Sequence, residues 1–251
     1  MDASTLTNNC ITWIREWFDK NGKDCIAVIG ISGGKDSTIV AKLCVEALGK
    51  DRVFGILMPN GDQQDIDDSY KVVKLLDIKY AVHNIYGSVN DIMDGMEDHD
   101  LHASAQTIMN IPPRIRMAVL YAYAQTLNGM VANTSNYSED IVGWSTLFGD
   151  SAGSFSPLGN LTVTEIKAIG KYLKLPEDLV DKIPADGLCG SSDEDKFGFT
   201  YDVLDKYINS EEIPPQEIKE KIDRMHKSGK FKCRMIQIDT FDPGIPRFIK
   251  K

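Results

Sequence analysis

The sequence lacks the features that mark disulfide-stapled, zinc-binding and membrane proteins. Its 251 residues include five cysteines, which form no C-x-x-C pair and no zinc-finger spacing, so we expect reduced thiols. No segment approaches the ~18 consecutive apolar residues of a membrane span, and the opening MDASTLTNNC has no basic stretch before an apolar core. These absences predict a cytoplasmic protein that does not enter a membrane.

Positive charge is also scarce. The chain has 28 lysines and arginines against 37 aspartates and glutamates, a formal net charge of −9. Such a surface repels polyanions, so we expect no nucleic-acid partner. The four histidines show no metal-ligand spacing, and the 42% apolar composition suffices for a full core, which predicts one domain over residues 1–251.

Apolar runs of strand length alternate with segments of helical periodicity. Strands are predicted at 25–31, 52–58, 79–85 and 130–133. Helices are predicted at 5–19, 36–48 and 63–76, across 87–127, and at 162–173, 200–209 and 214–227. This order is typical of an α/β fold with a doubly wound parallel sheet and a helical C-terminal part, in which ligands bind at the carboxyl ends of the strands.

A glycine-rich loop joins the first predicted strand to the helix after it. Its residues are Gly30, Ile31, Ser32, Gly33, Gly34, Lys35, Asp36 and Ser37. Glycines let the backbone approach an anion closely, and consecutive N–H groups at a helix start attract phosphate. The hydroxyls of Ser32 and Ser37 can donate to the same phosphates. The loop is therefore a predicted ATP-phosphate site.

The acidic residue in this loop separates it from other phosphate loops. A Walker A loop requires Ser or Thr where Asp36 stands, and the loop contains no G-x-G-x-x-G. A carboxylate repels phosphate unless a cation bridges the two, so Asp36 implies Mg²⁺ shared with the nucleotide. The alternative, a glycine-rich turn before an acidic helix start, leaves the two serines unexplained.

The segment SGGKDS (32–37) resembles the SGGxDS loop of the ATP pyrophosphatases, which split ATP into AMP and pyrophosphate. Four more segments resemble NAD synthetase in order and spacing: MPNGDQQDIDDS (58–69), NTSNYSED (133–140), PLGNLT (157–162) and KIPADGLCGSSDEDKFGFTYDVLDKYI (182–208). The resemblance covers about residues 27–208 and implies an adenine nucleotide alpha-hydrolase-like fold. No glutaminase-like extension precedes the loop, which is similar to the short, ammonia-dependent members.

The resemblance implies a ligase that forms a C–N bond. Such an enzyme amidates deamido-NAD with ammonia through an acyl-adenylate, with ATP as co-substrate, Mg²⁺ as cofactor and no catalytic nucleophile. It also implies a homodimer, for which we expect contacts at the Met- and Tyr-rich helix 114–127. The alternatives are another SGGxDS pyrophosphatase, either GMP synthetase-like or tRNA-modifying, and a non-catalytic adenine-nucleotide sensor.

Four residues outside the loop acquire roles from the resemblance. It implies that Thr134 contacts ATP, that Glu139 is a magnesium ligand beside Asp36, and that Arg114 and Lys232 contact deamido-NAD. Without the resemblance, Thr134 is interpreted as a helix N-cap and Glu139 as a solvated helix residue. The two cations are then interpreted as surface charges.

Three positions depart from the family pattern. The pattern T-K-Y-G-D-G-G-x-D reads TLFGDSAGS (146–154), so Leu147 replaces a substrate-contacting lysine and Ser154 replaces an aspartate. Val163 stands where another lysine is expected. Because Lys167 lies one helical turn after Val163, we hypothesise that it takes over a contact to the ATP phosphates.

Other segments have structural interpretations. Two prolines, Pro112 and Pro113, predict the start of a helix. The acidic run at 62–68 is interpreted as charge in the first turns of a helix, which the helix dipole favours, rather than as a metal site. Asp193 and Glu194 are interpreted as helix caps, although the resemblance places their loop over the bound nucleotide.

Overall fold

The computed structural model describes residues 2–63, 66–182, 192–235 and 237–251. The strands are β1 Ile26–Gly30, β2 Val53–Leu57, β3 Lys79–Val82, β4 Gly129–Val131, β5 Phe155–Ser156 and β6 Asp239–Thr240. The helices are α1 Ala3–Asn21, α2 Lys35–Leu48, α3 Ile66–Leu75, α4 Tyr86–Glu97, α5 Ala105–Thr126, α6 Tyr137–Val142, α7 Val163–Tyr172, α8 Glu177–Val180, α9 Asp193–Phe197, α10 Tyr201–Ile208 and α11 Gln216–Met235. Within these ranges no helix is long and apolar enough to cross a membrane. The described cysteines, Cys10, Cys25, Cys44 and Cys233, are free thiols, and Cys189 lies outside these ranges.

The four predicted strands form one parallel sheet in the order β3-β2-β1-β4. Strand β1 is central, since Ala27 lies opposite Val53 on one side and Met130 on the other. The observed strands are mostly shorter than predicted because apolar sequence continues into buried loop residues such as Ile31 and Ile85. The parallel arrangement brings the carboxyl ends of all four strands to one edge.

Two short strands extend the sheet beyond β4. Strands β5 and β6 pair in parallel, and a bridge between Ala132 and Phe155 attaches them beside β4. The ring of Phe155 is fully buried and stacks on Trp17 of α1 with the centroids 4.9 Å apart. The N-terminal helix is thereby fixed to the far end of the sheet.

Helices cover both faces of the sheet. Side chains of β1 alternate: Ala27 and Ile29 join the core formed with α1, α2 and α7. Val28 joins a second core, formed with α4 and α5. This alternation is the period of two expected for a strand buried on both faces. The predicted doubly wound parallel sheet is confirmed.

The prediction that Pro112 and Pro113 open a helix is wrong. Helix α5 begins after Ser104, whose hydroxyl accepts the Thr107 N–H at 3.2 Å, and both prolines lie inside it. A proline removes the N–H that would bond the carbonyl four residues earlier, here in the turn that contains Ile108 and Met109. Their side chains are 47% and 43% exposed, so water can reach this turn and solvate its carbonyls.

The helical C-terminal part builds a third core around α6. Tyr137 of α6 and Ile222 of α11 are buried there with residues of α9 and α10. Helix α11 continues to Met235, past its predicted end at 227, because Lys and Arg are good helix formers. Beyond it, Arg247 lies 2.7 Å from Glu165 of α7. The last part of the chain therefore secures α7, and it also contacts α6, where the Tyr137 hydroxyl donates to the Ile249 carbonyl at 2.9 Å.

Candidate active site

The glycine-rich loop lies at the carboxyl end of β1, where the sequence predicts it. Gly34 is the N-cap of α2 and offers no side-chain hydrogen bond to the first turn, which leaves the N–H groups there available to an anion. Ser37 is buried, and its hydroxyl accepts the Ser32 N–H at 3.3 Å and donates to the Gly34 carbonyl at 3.2 Å. Ser37 therefore fixes the loop, while the exposed Ser32 is the hydroxyl that a phosphate can reach.

The loop packs directly against the start of α3. Gly33 has a φ of +76°, and a Cβ there would lie 2.7 Å from Asp68 Cβ and 2.8 Å from Ser69 N, so only glycine fits. Asp68 lies in the first turn of α3 and accepts hydrogen bonds from Lys182 at 2.7 Å and Lys71 at 3.2 Å. These contacts hold the pKa of Asp68 below its ordinary value. Asp67 and Asp68 lie in the first turn of α3, as the interpretation of the acidic run expects, and Asp65 lies outside the described residues.

Lys35 turns inward from the loop. It is 3% exposed, and its Nζ lies 2.8 Å from Asp36 Oδ2. Burial opposes the charge of this ammonium, but the carboxylates of Asp36 and Glu139 outweigh that effect and raise the pKa of Lys35. The Nζ also lies 5.8 Å from the ring centroid of Tyr201. Lys35 is thus a buried ammonium whose charge is favoured by the neighbouring carboxylates of the glycine-rich loop and α6.

Asp36 and Glu139 form the part of the site that fits a metal ion. Asp36 Oδ1 is buried without a hydrogen-bond partner, and among the described residues the Glu139 carboxylate has none either. Burial, together with the negative charge of Asp36, raises the pKa of Glu139 well above its ordinary value. Two such carboxylates are stabilised by a shared cation, and Mg²⁺ combines one or two carboxylates with phosphate oxygens. The donor set therefore fits Mg²⁺ held jointly with a nucleotide.

Helix α6 places Glu139 next to the loop. Its N-cap is Asn136, whose side chain accepts the Glu139 N–H at 3.0 Å, so the interpretation of Thr134 as an N-cap is wrong. Thr134 lies at the carboxyl end of β4, half-buried, and its hydroxyl has no partner in the part of the chain that the structure describes. Ser138 anchors α6 by donating to Asp205 at 2.5 Å.

The two residues predicted to contact deamido-NAD converge on the segment after α6. Arg114 Nε donates to the Leu147 carbonyl at 3.2 Å, and the side chain is exposed. Lys232 Nζ donates to the carbonyls of Gly143 at 2.8 Å and Ser145 at 2.6 Å. Partial burial lowers the pKa of Lys232. The structure thus brings both cations to the segment 143–147.

Lys167 lies elsewhere on the molecule. Within the described ranges its contact is an ion pair of 3.9 Å with Asp181, which Lys171 also approaches to 3.3 Å. Val163 sits at the start of α7, where its N–H donates to the Ser138 hydroxyl at 3.1 Å. The structure therefore does not bring Lys167 into contact with the loop, and its role stays a prediction.

Asp150 is a candidate that the sequence analysis passed over. It accepts the Thr146 N–H at 2.9 Å and remains accessible to solvent, while desolvation by the surrounding protein raises the pKa of its carboxyl. Its charge also contributes to the raised pKa of Glu139. The signal was its place in FGDS (148–151), inside the segment that departs from the family pattern.

A polar cavity adjoins the backbone of Asp150. Asn133 donates to the Asp150 carbonyl at 2.8 Å and lines a cavity of about 320 Å³. The cavity wall also includes Ser135, Ser156 and Lys232. Its size is at the lower end of small-molecule sites.

Asp193 does not have the capping role predicted for it. The N-cap of α9 is Ser192, which forms a capping box with Asp195. Asp193 is 5% exposed and accepts the Tyr201 hydroxyl at 3.3 Å, while Glu194 accepts the Tyr201 N–H at 2.8 Å. Burial raises the pKa of Asp193. The preceding segment 183–191, expected over the nucleotide, lies outside the described residues.

Comparison with known proteins finds relatives along nearly the whole chain. The family model described as NAD synthase matches residues 6–242. The NH(3)-dependent NAD(+) synthetase of Pyrococcus furiosus is 35% identical over 90% of this chain and 91% of its own length.

Two solved structures extend this finding to the fold. The NMN synthetase from Francisella tularensis has a TM-score of 0.85 at 28% identity, covering 96% of this chain and all of that one. The NH3-dependent NAD synthetase from Campylobacter jejuni, in complex with the nitrate ion, has a TM-score of 0.75 at 30% identity, covering 95% and 99%. By sequence, fold and the residues at the loop, this chain belongs to the NAD synthase family.

Proposed function

We propose that this chain amidates deamido-NAD with ammonia and ATP, through an acyl-adenylate, giving NAD, AMP and pyrophosphate. The observation that carries the proposal is the pair Asp36 and Glu139 beside an open phosphate loop: Asp36 Oδ1 and the Glu139 carboxylate have no hydrogen-bond partner among the described residues. A non-catalytic nucleotide sensor has no use for such a pair. The family match weighs against the GMP synthetase-like and tRNA-modifying alternatives.

The nucleotide is held by the loop between Gly30 and Ser37. Its phosphates accept hydrogen bonds from the first turn of α2 and from Ser32, and Thr134 adds a hydroxyl from the end of β4. Asp36 and Glu139 hold Mg²⁺, which when bound neutralises charge on the polyphosphate and on the departing pyrophosphate. We retain Lys167 as a further candidate contact for the phosphates.

The substrate carboxylate must approach a polyanion, so catalysis is chiefly neutralisation of charge and alignment of the reactants. Arg114 and Lys232 flank the segment 143–147 and orient the anionic substrate. Asp150 lies near Glu139, and we assign its carboxylate to bind ammonium and accept a proton from it. No covalent bond to the protein forms.

We further propose that residues 1–251 form one domain that assembles as a homodimer in the cytoplasm. The Glu165–Arg247 ion pair, which joins α7 to the last part of the chain, supports a single domain. Within the expected segment 114–127, helix α5 exposes Ala118, Tyr121 and Ala122 on one face, and these side chains offer an apolar contact surface. Met117 in the same helix is buried and therefore not part of it.

A second candidate substrate is the mononucleotide, nicotinate mononucleotide, which amidation converts to NMN. The similarity to the NMN synthetase structure favours it. So do two positions that lack the charges of many family members: Leu147 replaces a lysine, and the Ser154 hydroxyl is occupied by the Val131 N–H at 3.1 Å. Fewer charged contacts to the substrate suit a smaller molecule.

One assay separates these proposals. The purified protein is incubated with ATP, Mg²⁺, ammonium and either deamido-NAD or nicotinate mononucleotide, while the amide product, AMP and pyrophosphate are followed. Equal formation of all three, lost in Asp36→Ala, supports the ligase. The larger kcat/KM identifies the substrate. If ATP is not turned over with either acceptor, both candidates are contradicted.

A further inference from the structure

The Lys35 ammonium is paired with a carboxylate that the proposed metal ion also needs. Lys35 Nζ lies 2.8 Å from Asp36 Oδ2, while Asp36 Oδ1 is buried and unpartnered. When Asp36 binds a divalent cation, Lys35 shares its partner with a second positive charge. A buried ammonium then requires another anion, because an uncompensated buried charge is strongly destabilising.

Asp193 is the carboxylate placed to supply the negative charge that Lys35 then requires. Glu139 also faces Lys35, but it is itself a proposed metal ligand. Tyr201 contacts both Lys35 and Asp193. Its ring centroid lies 5.8 Å from Lys35 Nζ, and its hydroxyl donates to Asp193 at 3.3 Å. The Asp193 charge also helps to raise the pKa of Lys35.

The local structure keeps Asp193 out of the helix cap and holds it in place. Its carboxylate also accepts a hydrogen bond from Trp144 and faces the ammonium of Lys196 as well as that of Lys35. The capping of α9 is performed by Ser192 and Asp195, so the Asp193 carboxylate points inward instead of binding the helix start. Helix α9 is fixed from below by Phe197, which is 1% exposed and packs edge-on against Tyr201 at 5.8 Å.

We propose that Asp193 is a positioning residue that holds the Lys35 ammonium when the metal and the nucleotide engage Asp36. Lys35 then does not compete with the metal for the Asp36 carboxylate. Its positive charge stays beside the phosphates, under the ring of Tyr201. The inference rests on the proposed function, because it takes Asp36 to be a metal ligand.

The test measures metal binding without turnover. Mn²⁺ is titrated, by electron paramagnetic resonance, into the full chain saturated with α,β-methylene ATP. Asp193→Asn is expected to weaken Mn²⁺ binding about tenfold, the size typical of a changed partner next to a metal ligand. In a Lys35→Gln background the same substitution is expected to change binding less than twofold. Equal weakening in both backgrounds, or no weakening in either, overturns the proposal.

Two further variants separate this role from a structural one. Asp195→Asn disturbs the cap of the same helix but leaves Asp193 intact, so Mn²⁺ binding should be unchanged. Tyr201→Phe keeps the ring and removes the hydroxyl that orients Asp193, and it should weaken binding only when Lys35 is present, which provides a test if Asp193→Asn does not fold. Failure of the unmodified chain to bind Mn²⁺ with the nucleotide would instead count against the proposed function.

Discussion

The backbones of Gly143 and Gly229 are in contact where α11 crosses the end of α6. A Cβ on Gly229 would lie 2.5 Å from Gly143 Cα, and one on Gly143 would lie 2.6 Å from Gly229 Cα. Gly143 also has a φ of +68°, which favours glycine by itself. Lys232 follows Gly229 by about one helical turn and reaches the Gly143 carbonyl. The close crossing therefore sets the position of Lys232, the cation that we propose binds the substrate.

Gly229→Ala should force the two helices apart. The clash is with backbone atoms and has no flexible side chain to relieve it, so we expect a loss of about 1–3 kcal/mol in the free energy of unfolding. We also expect a higher KM for the dinucleotide, because Lys232 moves with the helix. Gly95→Ala is the control: its Cβ meets nothing within 4 Å in α4, and it should stabilise by about 0.5–1 kcal/mol. Similar free energies of unfolding for Gly229→Ala and Gly95→Ala would show that the contact between Gly143 and Gly229 does not require glycine.

Glu139→Gln should lower kcat about 10²-fold or more, since it removes one electrostatic element of the proposed active site. The fold should survive, because the substitution removes a buried negative charge that faces Asp36. Steady-state kinetics at saturating Mg²⁺ and unfolding in urea check the two expectations. Glu97→Gln, at an exposed position of α4, controls for the loss of one charge. Retention of full kcat in Glu139→Gln would remove this residue from the site.

The stability of the metal-free protein should depend on pH through the same residue. The pKa of Glu139 is raised in the folded state, so the folded protein binds this proton more tightly than the unfolded chain does. Stability should therefore fall as the pH rises from about 4, where an unfolded glutamate titrates, through the raised pKa, and then level off. Urea unfolding at several pH values should show a shallower fall in Glu139→Gln. If the free energy of unfolding changed with pH equally in the parent protein and in Glu139→Gln, the result would argue against a raised pKa of Glu139.

Lys167 and Lys171 provide a matched pair, because both approach Asp181. If Lys167 contacts the ATP phosphates, Lys167→Ala should raise the KM for ATP about tenfold, as expected for one lost charged hydrogen bond. Lys171→Ala should leave that KM unchanged while losing a comparable ion pair. If the KM for ATP were the same in Lys167→Ala, Lys171→Ala and the parent, Lys167 would have no role beyond its ion pair with Asp181.

The apolar residues of α5 predict the dimer contact. Ala118→Glu should shift sedimentation towards the 27.9 kDa monomer, because a charge there is buried without a partner in the interface. Ile213→Glu is the control, since Ile213 is 74% exposed and lies outside α5. A parent protein that sediments as a monomer at micromolar concentration would overturn the homodimer.

The parallel sheet and the phosphate loop could be predicted because their signals are local. A continuous apolar strand, a Gly-Gly turn and a helix with Asp36 in its first turn are adjacent in sequence. The loop's internal bonding was not predictable in the same way. Ser37 turned out to brace the backbone, and that depends on where its hydroxyl points.

Contacts between distant segments carried no comparable signal. Nothing in the local pattern pairs Tyr201 with Asp193 beneath Lys35, or brings Asp150 near Glu139. The prolines of α5 misled the prediction because their usual place at a helix start does not apply where the preceding turn can be solvated. Burial and long-range packing decide such cases, and both appear only in the folded chain.

The pairing of β1 with β4 has a consequence for how the protein acquires activity during synthesis. The glycine-rich loop is translated early, but Glu139 follows β4, which must dock beside β1 although four helices and two strands separate them in sequence. Parallel pairings between distant segments form slowly. A nascent chain that ends before β4 therefore carries the loop and Asp36 but lacks Glu139, the second carboxylate of the proposed metal site. Tight binding of a metal–nucleotide complex would therefore indicate that β4 has docked beside β1.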